Sequence, residues 1–211
     1  MINIDEYIAG FSELTGCKNR QPWELTSGLS VWLEERIKLL DGDYIVENFI
    51  AIHKTAVIET GVTLKPPVVI GRNCFIGTGS YLRNGVFLVE NVRIGTGCEI
   101  KSSIIFKNSA VAHFNFIGDT IVGNSVNFEA GSITANHYNE RKDKNICVLC
   151  RSERIDTRTV KFGSLVGDNT KIGANAVLSP GTIMEPDSIV KRLELIEQIK
   201  PASLPGNAAT G

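Results

Sequence analysis

The sequence predicts an all-β protein: a parallel β-helix of stacked triangular coils with short helical segments at its ends. Three observations carry that reading. Aliphatic residues recur in strict period six at Ile52, Ile58, Leu64, Ile70, Ile76, Leu82, Leu88, Ile94 and Ile100. Small or β-branched residues recur four places after them, among them Val68, Cys74, Ser80, Val86, Val92 and Cys98. Glycine often follows the aliphatic directly, as in IGRNCF, IGTGSY and IGTGCE, where it supplies the backbone freedom that bends demand. Six is neither the period of about 3.6 of a helix nor the period of about 2 of a lone strand. The repeating unit must therefore be a supersecondary one that buries its apolar side by stacking.

Residues 1–45 read as a helical N-terminal cap. MINIDEYIAG is acidic and precedes no long apolar run, so neither a signal peptide nor a membrane span is expected, and the expected location is cytoplasmic. QPWELTSG offers proline, Ser27 and glycine as helix-start or turn signals. LSVWLEERIKLL then places Leu29, Trp32, Leu33, Ile37 and Leu40 on one face of an amphipathic helix.

Residues 46–190 read as the β-helix. Each hexad is one flat side, and coils of about eighteen residues stacked roughly 4.8 Å apart give about six coils. After Ile100 the beat shifts to Ile105, Val111 and Ile117, drops a residue to Val122, and passes Phe128 to end on Thr134. It returns as Val160, Val166, Ile172, Leu178, Met184 and Val190. Residues 135–159 are an inserted, charge-rich loop. Its Cys147 and Cys150 form a single C-x-x-C, which without a second pair reads as a hairpin edge with two incidental thiols rather than a zinc site. Residues 191–211 read as a C-terminal helix with a loose tail from Pro201, because Val190, Leu193, Ile196 and Ile199 stand at helical spacing. Such flanks would cover the open strand edges that a solenoid leaves at its ends.

Composition bounds the partners. The 211 residues suffice for one sizeable core, and a net charge of −1 creates no field that would gather nucleic acid or an anionic membrane. Five cysteines, an odd number, argue against a disulfide framework.

One stretch interrupts the pattern: AHFNFIGD, residues 112–119, sets a histidine among aromatic residues on the coil. With the hexads around it, the chain resembles the hexapeptide-repeat, left-handed β-helix acyltransferases. The left hand comes from that resemblance, since parallel crossovers are otherwise right-handed. From about Tyr81 to Asn136 a narrower likeness runs to the acetyltransferase domain of the bifunctional bacterial enzyme that acetylates glucosamine-1-phosphate and then makes UDP-N-acetylglucosamine. HFNFIGD and SVNFEAGSITAN carry it, together with Arg83 in YLRNG and Lys101 in EIKSS.

The resemblance implies His113 as general base, which takes a proton from the sugar amine as that amine attacks a thioester. It implies Arg83 and Lys101 as cations that hold the sugar phosphate, and Asn127 and Asn136 as amides that contact the sugar. It further implies acetyl-CoA as co-substrate, bound at Ala130 through its backbone and at Ala174, no metal requirement for acyl transfer, and a homotrimer with clefts between subunits. The chain departs from the family at Phe116 and His137, which replace tyrosines, at Glu129, which replaces a glycine, and at Ala174, which replaces a serine. Lys142 or Lys144 stands in for the family's loop lysine. No L-x-G-G-x-G-T-R loop precedes Ile52, so synthesis of a sugar nucleotide is not expected. Two other readings stay open beside an N-acyltransferase for an amino-sugar phosphate. One is a non-catalytic sugar-phosphate or sugar-nucleotide binding module serving a separate nucleotidyltransferase, and the other is a purely structural trimer.

Overall fold

In the computed structural model, which describes residues 1–199, the hexads close into a left-handed parallel β-helix of about 8 turns, more than the six expected. The first face holds strands Ile50–His53, Val68–Ile70, Ile121–Val122, Ser164–Val166 and Thr182–Met184. A second face of seven strands runs from Val57–Ile58 through Ala110–Val111 and Asn127–Phe128 to Ile189–Val190. A third holds Thr63–Leu64, Phe116–Gly118, Ile133–Thr134, Val177–Leu178 and Leu195–Ile196. Two longer strands, Tyr81–Leu88 and Glu99–Ile105, turn the corner from the third face onto the first.

The aliphatic of each hexad and the small residue two places before it both point inward. Ile70, Ile76, Leu82, Leu88, Ile94 and Ile100 are fully buried, and so are Val68, Cys74, Val86, Val92 and Cys98 at the corners. Thr134, the polar end of the first run, is inside as well and donates its place to a ladder of hydroxyls with Thr120. Asparagines occupy left-handed backbone at one corner column, with φ of 54° at Asn73 and Asn91 and 60° at Asn108, a region that asparagine tolerates better than most residues. Their amides link in file, Asn73 to Asn91 at 3.2 Å and Asn91 to Asn108 at 3.0 Å.

Glycine after the aliphatic has a different cause from the one expected. Gly71 has no left-handed φ; a Cβ there would fall 1.4 Å from the Val89 carbonyl oxygen of the next coil. Close approach between coils, not bending, demands glycine at that position.

The first face differs from the other two because its outward residues are also apolar. Val69, Phe87, Ile104, Ile121, Leu165 and Ile183 are buried under short helices α1 (Phe11–Thr15), α2 (Pro22–Ser27) and α3 (Leu29–Ile37). α3 presents Leu29, Leu33 and Ile37 to this face, with Trp32 and Leu40 at the margin, as its spacing predicted. Three expectations change. Within QPWELTSG, Pro22–Ser27 is a helix in its own right, started where the Gln21 N–H donates to the Glu24 carboxylate at 2.9 Å. The N-terminal segment lies along the flank of the prism rather than across its end. The first coil's edge is instead covered by Tyr44–Glu47, which pairs antiparallel with Ile50–His53.

Residues 191–199 form no helix. Leu195–Ile196 pairs parallel with Val177–Leu178, so the hexad beat simply continues from Val190 to Ile196 while Leu193 points to solvent. Helical and hexad spacing coincide at Val190 and Ile196, and stacking on an open coil decides between them. The tail from Pro201 lies outside the described residues. Val160, given to the hexad beat, is exposed, and the register resumes only at Val166. The inserted segment folds back on the first face: hairpin strands Cys147–Cys150 and Glu153–Asp156 follow Tyr138, and Phe162 packs edge-on to Trp23 at 5.9 Å. Cys147 and Cys150, three residues apart on an extended strand, stand about 10 Å apart and cannot bridge.

Candidate active site

The third face carries two groups at opposite ends. At its far corner Arg83 pairs with Lys101 across adjacent coils, and Lys101 with Gly118 on the next, so three rungs bring these side chains together. The Lys101 ammonium, almost wholly buried, lies 2.5 Å from Asp119 Oδ2, and the Asn136 amide donates to the same oxygen at 2.5 Å. Arg83 Nε donates to Glu99 Oε1 at 2.7 Å, and its guanidinium stands over the Tyr81 ring at 5.9 Å. The structure thus gathers Arg83, Lys101 and Asn136 but supplies each cation with a carboxylate of its own. A phosphate entering here must share or displace Glu99 and Asp119. Neither acid was assigned a role from the sequence, though Asp119 is the last residue of HFNFIGD and Glu99 stands two places before Lys101.

At the near corner His113 is exposed. Its carbonyl accepts from Gly131 N–H at 2.9 Å, and Ala130 carbonyl accepts from Asn175 N–H at 3.0 Å, so His113, Ala130 and Ala174 stand in one column on consecutive coils. His113 stands five residues before Gly118, across the corner that Phe114 turns with a φ of 56°, and no hydrogen bond within the protomer joins it to Arg83 or Lys101, which bond Glu99 and Asp119 instead. Phe116 lies between: a Cβ at Gly118 would be 2.7 Å from its ring and 3.1 Å from the Asn136 amide.

Asn127 faces elsewhere. It points from the second face into an open groove of about 530 Å³ that climbs the coils above His113, walled by Glu129, Lys171, Gly173, Lys191 and Arg192. Glu129 is fixed there. It accepts from Ala174 N–H at 2.9 Å and from Arg192 Nε and Nη2 at 2.8 and 2.9 Å, and these donors, Arg192 foremost, pull its carboxyl down to about 2. Its carboxylate thereby occupies the backbone N–H of Ala174, a position that the resemblance assigns to cofactor binding. Among the described residues no three His, Cys, Asp or Glu side chains gather as a metal site, and no helix is long and apolar enough to cross a membrane. Lys142 and Lys144 are both exposed on the insert.

Residues 45–137 match the family described as the GMPPB C-terminal domain, and residues 165–191 match the hexapeptide repeat of succinyl-transferase. Over 186 residues the chain is 33% identical to the bifunctional protein GlmU of Methanococcus vannielii, covering 84% of this chain and 44% of that protein. Over 81 residues it is 33% identical to the bifunctional sugar-1-phosphate nucleotidylyltransferase/acetyltransferase of Sulfurisphaera tokodaii, covering 38% of this chain and 20% of that one. The chain therefore spans under half the length of these curated relatives. Among solved structures, the N-acyltransferase AntD of Bacillus cereus, in complex with dTDP and 3-hydroxybutyryl-CoA, aligns over 78% of this chain and 77% of that one at 15% identity and a TM-score of 0.37. At that level the superposition adds nothing to what the sequence relatives provide.

Proposed function

Starting from the premise that the chain belongs to the hexapeptide-repeat β-helix proteins and resembles the acetyltransferase part of the GlmU proteins, we propose that it transfers an acetyl group from acetyl-CoA to the amine of an amino-sugar phosphate such as glucosamine-1-phosphate. The observation that carries this reading is His113 itself, an exposed imidazole at the corner between the second and third faces, in one column with Ala130 and Ala174. An ammonium has no lone pair, so the neutral amine must attack. His113 takes the proton as the C–N bond forms, and returns it to the thiolate as the C–S bond breaks. Lys171 and Lys191 in the groove suit the phosphates of CoA, and Arg83 and Lys101 suit the sugar phosphate, which then competes with Glu99 and Asp119.

The separation of His113 from the cations is met by a trimer in which one protomer's second face abuts another's third. The first face is covered by the chain's own helices, while Val57, Ile133, Ile189 and Leu195 leave apolar side chains exposed on the other two. Turnover of acetyl-CoA with glucosamine-1-phosphate tests the proposal. His113→Ala is expected to lose about 10²- to 10⁴-fold in kcat with its circular dichroism unchanged. A variant that turns over like the parent removes His113 from this role.

A second reading is favoured by one specific observation: the Ala174 N–H, at a position the resemblance assigns to cofactor binding, is already held by the Glu129 carboxylate. On that reading the protein is a sugar-phosphate binding module. Calorimetry separates the two, since a module binds glucosamine-1-phosphate but gives no heat with acetyl-CoA.

A further inference from the structure

Arg36, on the flank of the prism away from His113, has no place in the chemistry above. It projects from α3 with its guanidinium carbon 5.3 Å from the Trp32 ring and 5.4 Å from the Phe87 ring. Its Nε is buried without a hydrogen-bond partner, and none of the ion pairs among the described residues includes it. Of the other arginines whose guanidinium stands over an aromatic ring, Arg83 over Tyr81 has Glu99 and Arg141 over Tyr138 has Glu197, whereas Arg93 over Phe75 has no ion pair but also no buried nitrogen without a partner. Arg36 is half-buried, its Nε shut away from water while the rest of the guanidinium is not, and this burial lowers its affinity for the proton.

Two neighbouring hollows converge on this side chain, of about 230 and 390 Å³, and both are also lined by Leu14 and Lys107. Together they fall within the size range of small-molecule sites. The smaller is walled by Tyr44 and His53, whose rings meet edge to face at 5.1 Å, and is also lined by Arg72. Carboxylates also line the rims, Asp41, Asp43 and Glu90 in one hollow and Glu13 in the other, but none reaches ion-pair distance of Arg36. They disfavour a polyanion and leave room for one compact group.

We propose that Arg36 and Lys107 form an anion site, independent of the acyl-transfer reading, that takes the phosphate of a small phosphorylated metabolite. The rings of Trp32 and Phe87 hold the guanidinium plane so that its fork is set before the ligand arrives, which suits paired hydrogen bonds to phosphate oxygens. The test titrates the intact protein with inorganic phosphate and, at matched ionic strength, with acetate, and follows the Arg36 Nε–H resonance. Saturable movement with phosphate, and weaker movement with acetate, is expected. A resonance that phosphate does not move overturns the site, and equal response to acetate overturns its assignment to phosphate. Arg36→Lys keeps the charge but loses the fork and is expected to weaken phosphate binding about tenfold. Lys107→Ala, at an exposed position that leaves the fold intact, is expected to weaken it several-fold; phosphate binding unchanged in Lys107→Ala overturns the pairing even if Arg36 variants fail to fold.

Discussion

Asp119 is the residue on which the third face turns. Two donors, a buried ammonium and a buried amide, share one of its oxygens. Removing one member of a buried ion pair leaves the other charge desolvated, so Asp119→Ala is expected to cost about 3–5 kcal/mol in chemical unfolding. The double variant Lys101→Met with Asp119→Leu is expected to recover only part of that loss, because it removes the orphaned ammonium but leaves the Asn136 amide without its acceptor and sets leucine at a φ of 48°. Glu129 makes the converse case at the surface. Its folded carboxyl sits at about 2 against an ordinary 4.5, so the contribution of its contacts to stability is complete above 4.5 and disappears as pH falls toward 2. Wild type and Glu129→Gln are therefore expected to differ in melting temperature at neutral pH and to converge near pH 2. A constant difference across that window would sever Glu129 from the acid response. His113 and Lys101 were legible in the sequence because a motif carries them. Their carboxylate partners were not, since pairing across coils depends on which rung meets which.

At the scale of elements, the coil is a unit that tolerates little. Gly71→Ala pushes a methyl into the Val89 carbonyl of the next coil, a clash that no rotamer relieves, and is expected to cost about 3 kcal/mol or to prevent folding. Alanine at Gly42, where a Cβ would meet nothing, is the matched control. The helices answer to a different logic. α3 is nine residues long, too short to hold itself in water, and is stable only against the apolar outer side of the first face. Leu33→Ala is expected to cost about 2–5 kcal/mol in chemical unfolding, with the hexad interior preserved in far-ultraviolet dichroism. The same competition explains residues 191–199: an amphipathic spacing without a face to pack against yields to an open strand edge that offers backbone hydrogen bonds. Runs such as PPVVI, VFLV and SIIF, apolar at consecutive rather than alternate positions, are a local signal of a face covered on both sides that the period of six does not use.

For the whole molecule, the prism has one flank sealed by its own chain and two that carry exposed aliphatic side chains. That asymmetry is what a closed ring of three copies would use. Sedimentation at micromolar concentration is expected to give three times the mass of the chain, and Ile133→Lys with Leu195→Glu to return it to a monomer that keeps its β-helix spectrum. A monomeric wild type would remove the seam on which the proposed acyl transfer depends, because within one protomer His113 and Lys101 stand a face apart.

The sequence by itself determined the coil and its inward residues, because a period of six leaves only one way to bury so many aliphatic side chains; the histidine and the cations were singled out by the family resemblance alone. The tertiary structure alone decided which flank the helices cover, that the last hexad is a strand, and that each expected phosphate ligand already holds a carboxylate. Those outcomes rest on contacts between residues a whole coil or more apart, where no local propensity speaks and only the stacking of one rung on the next sets the neighbours.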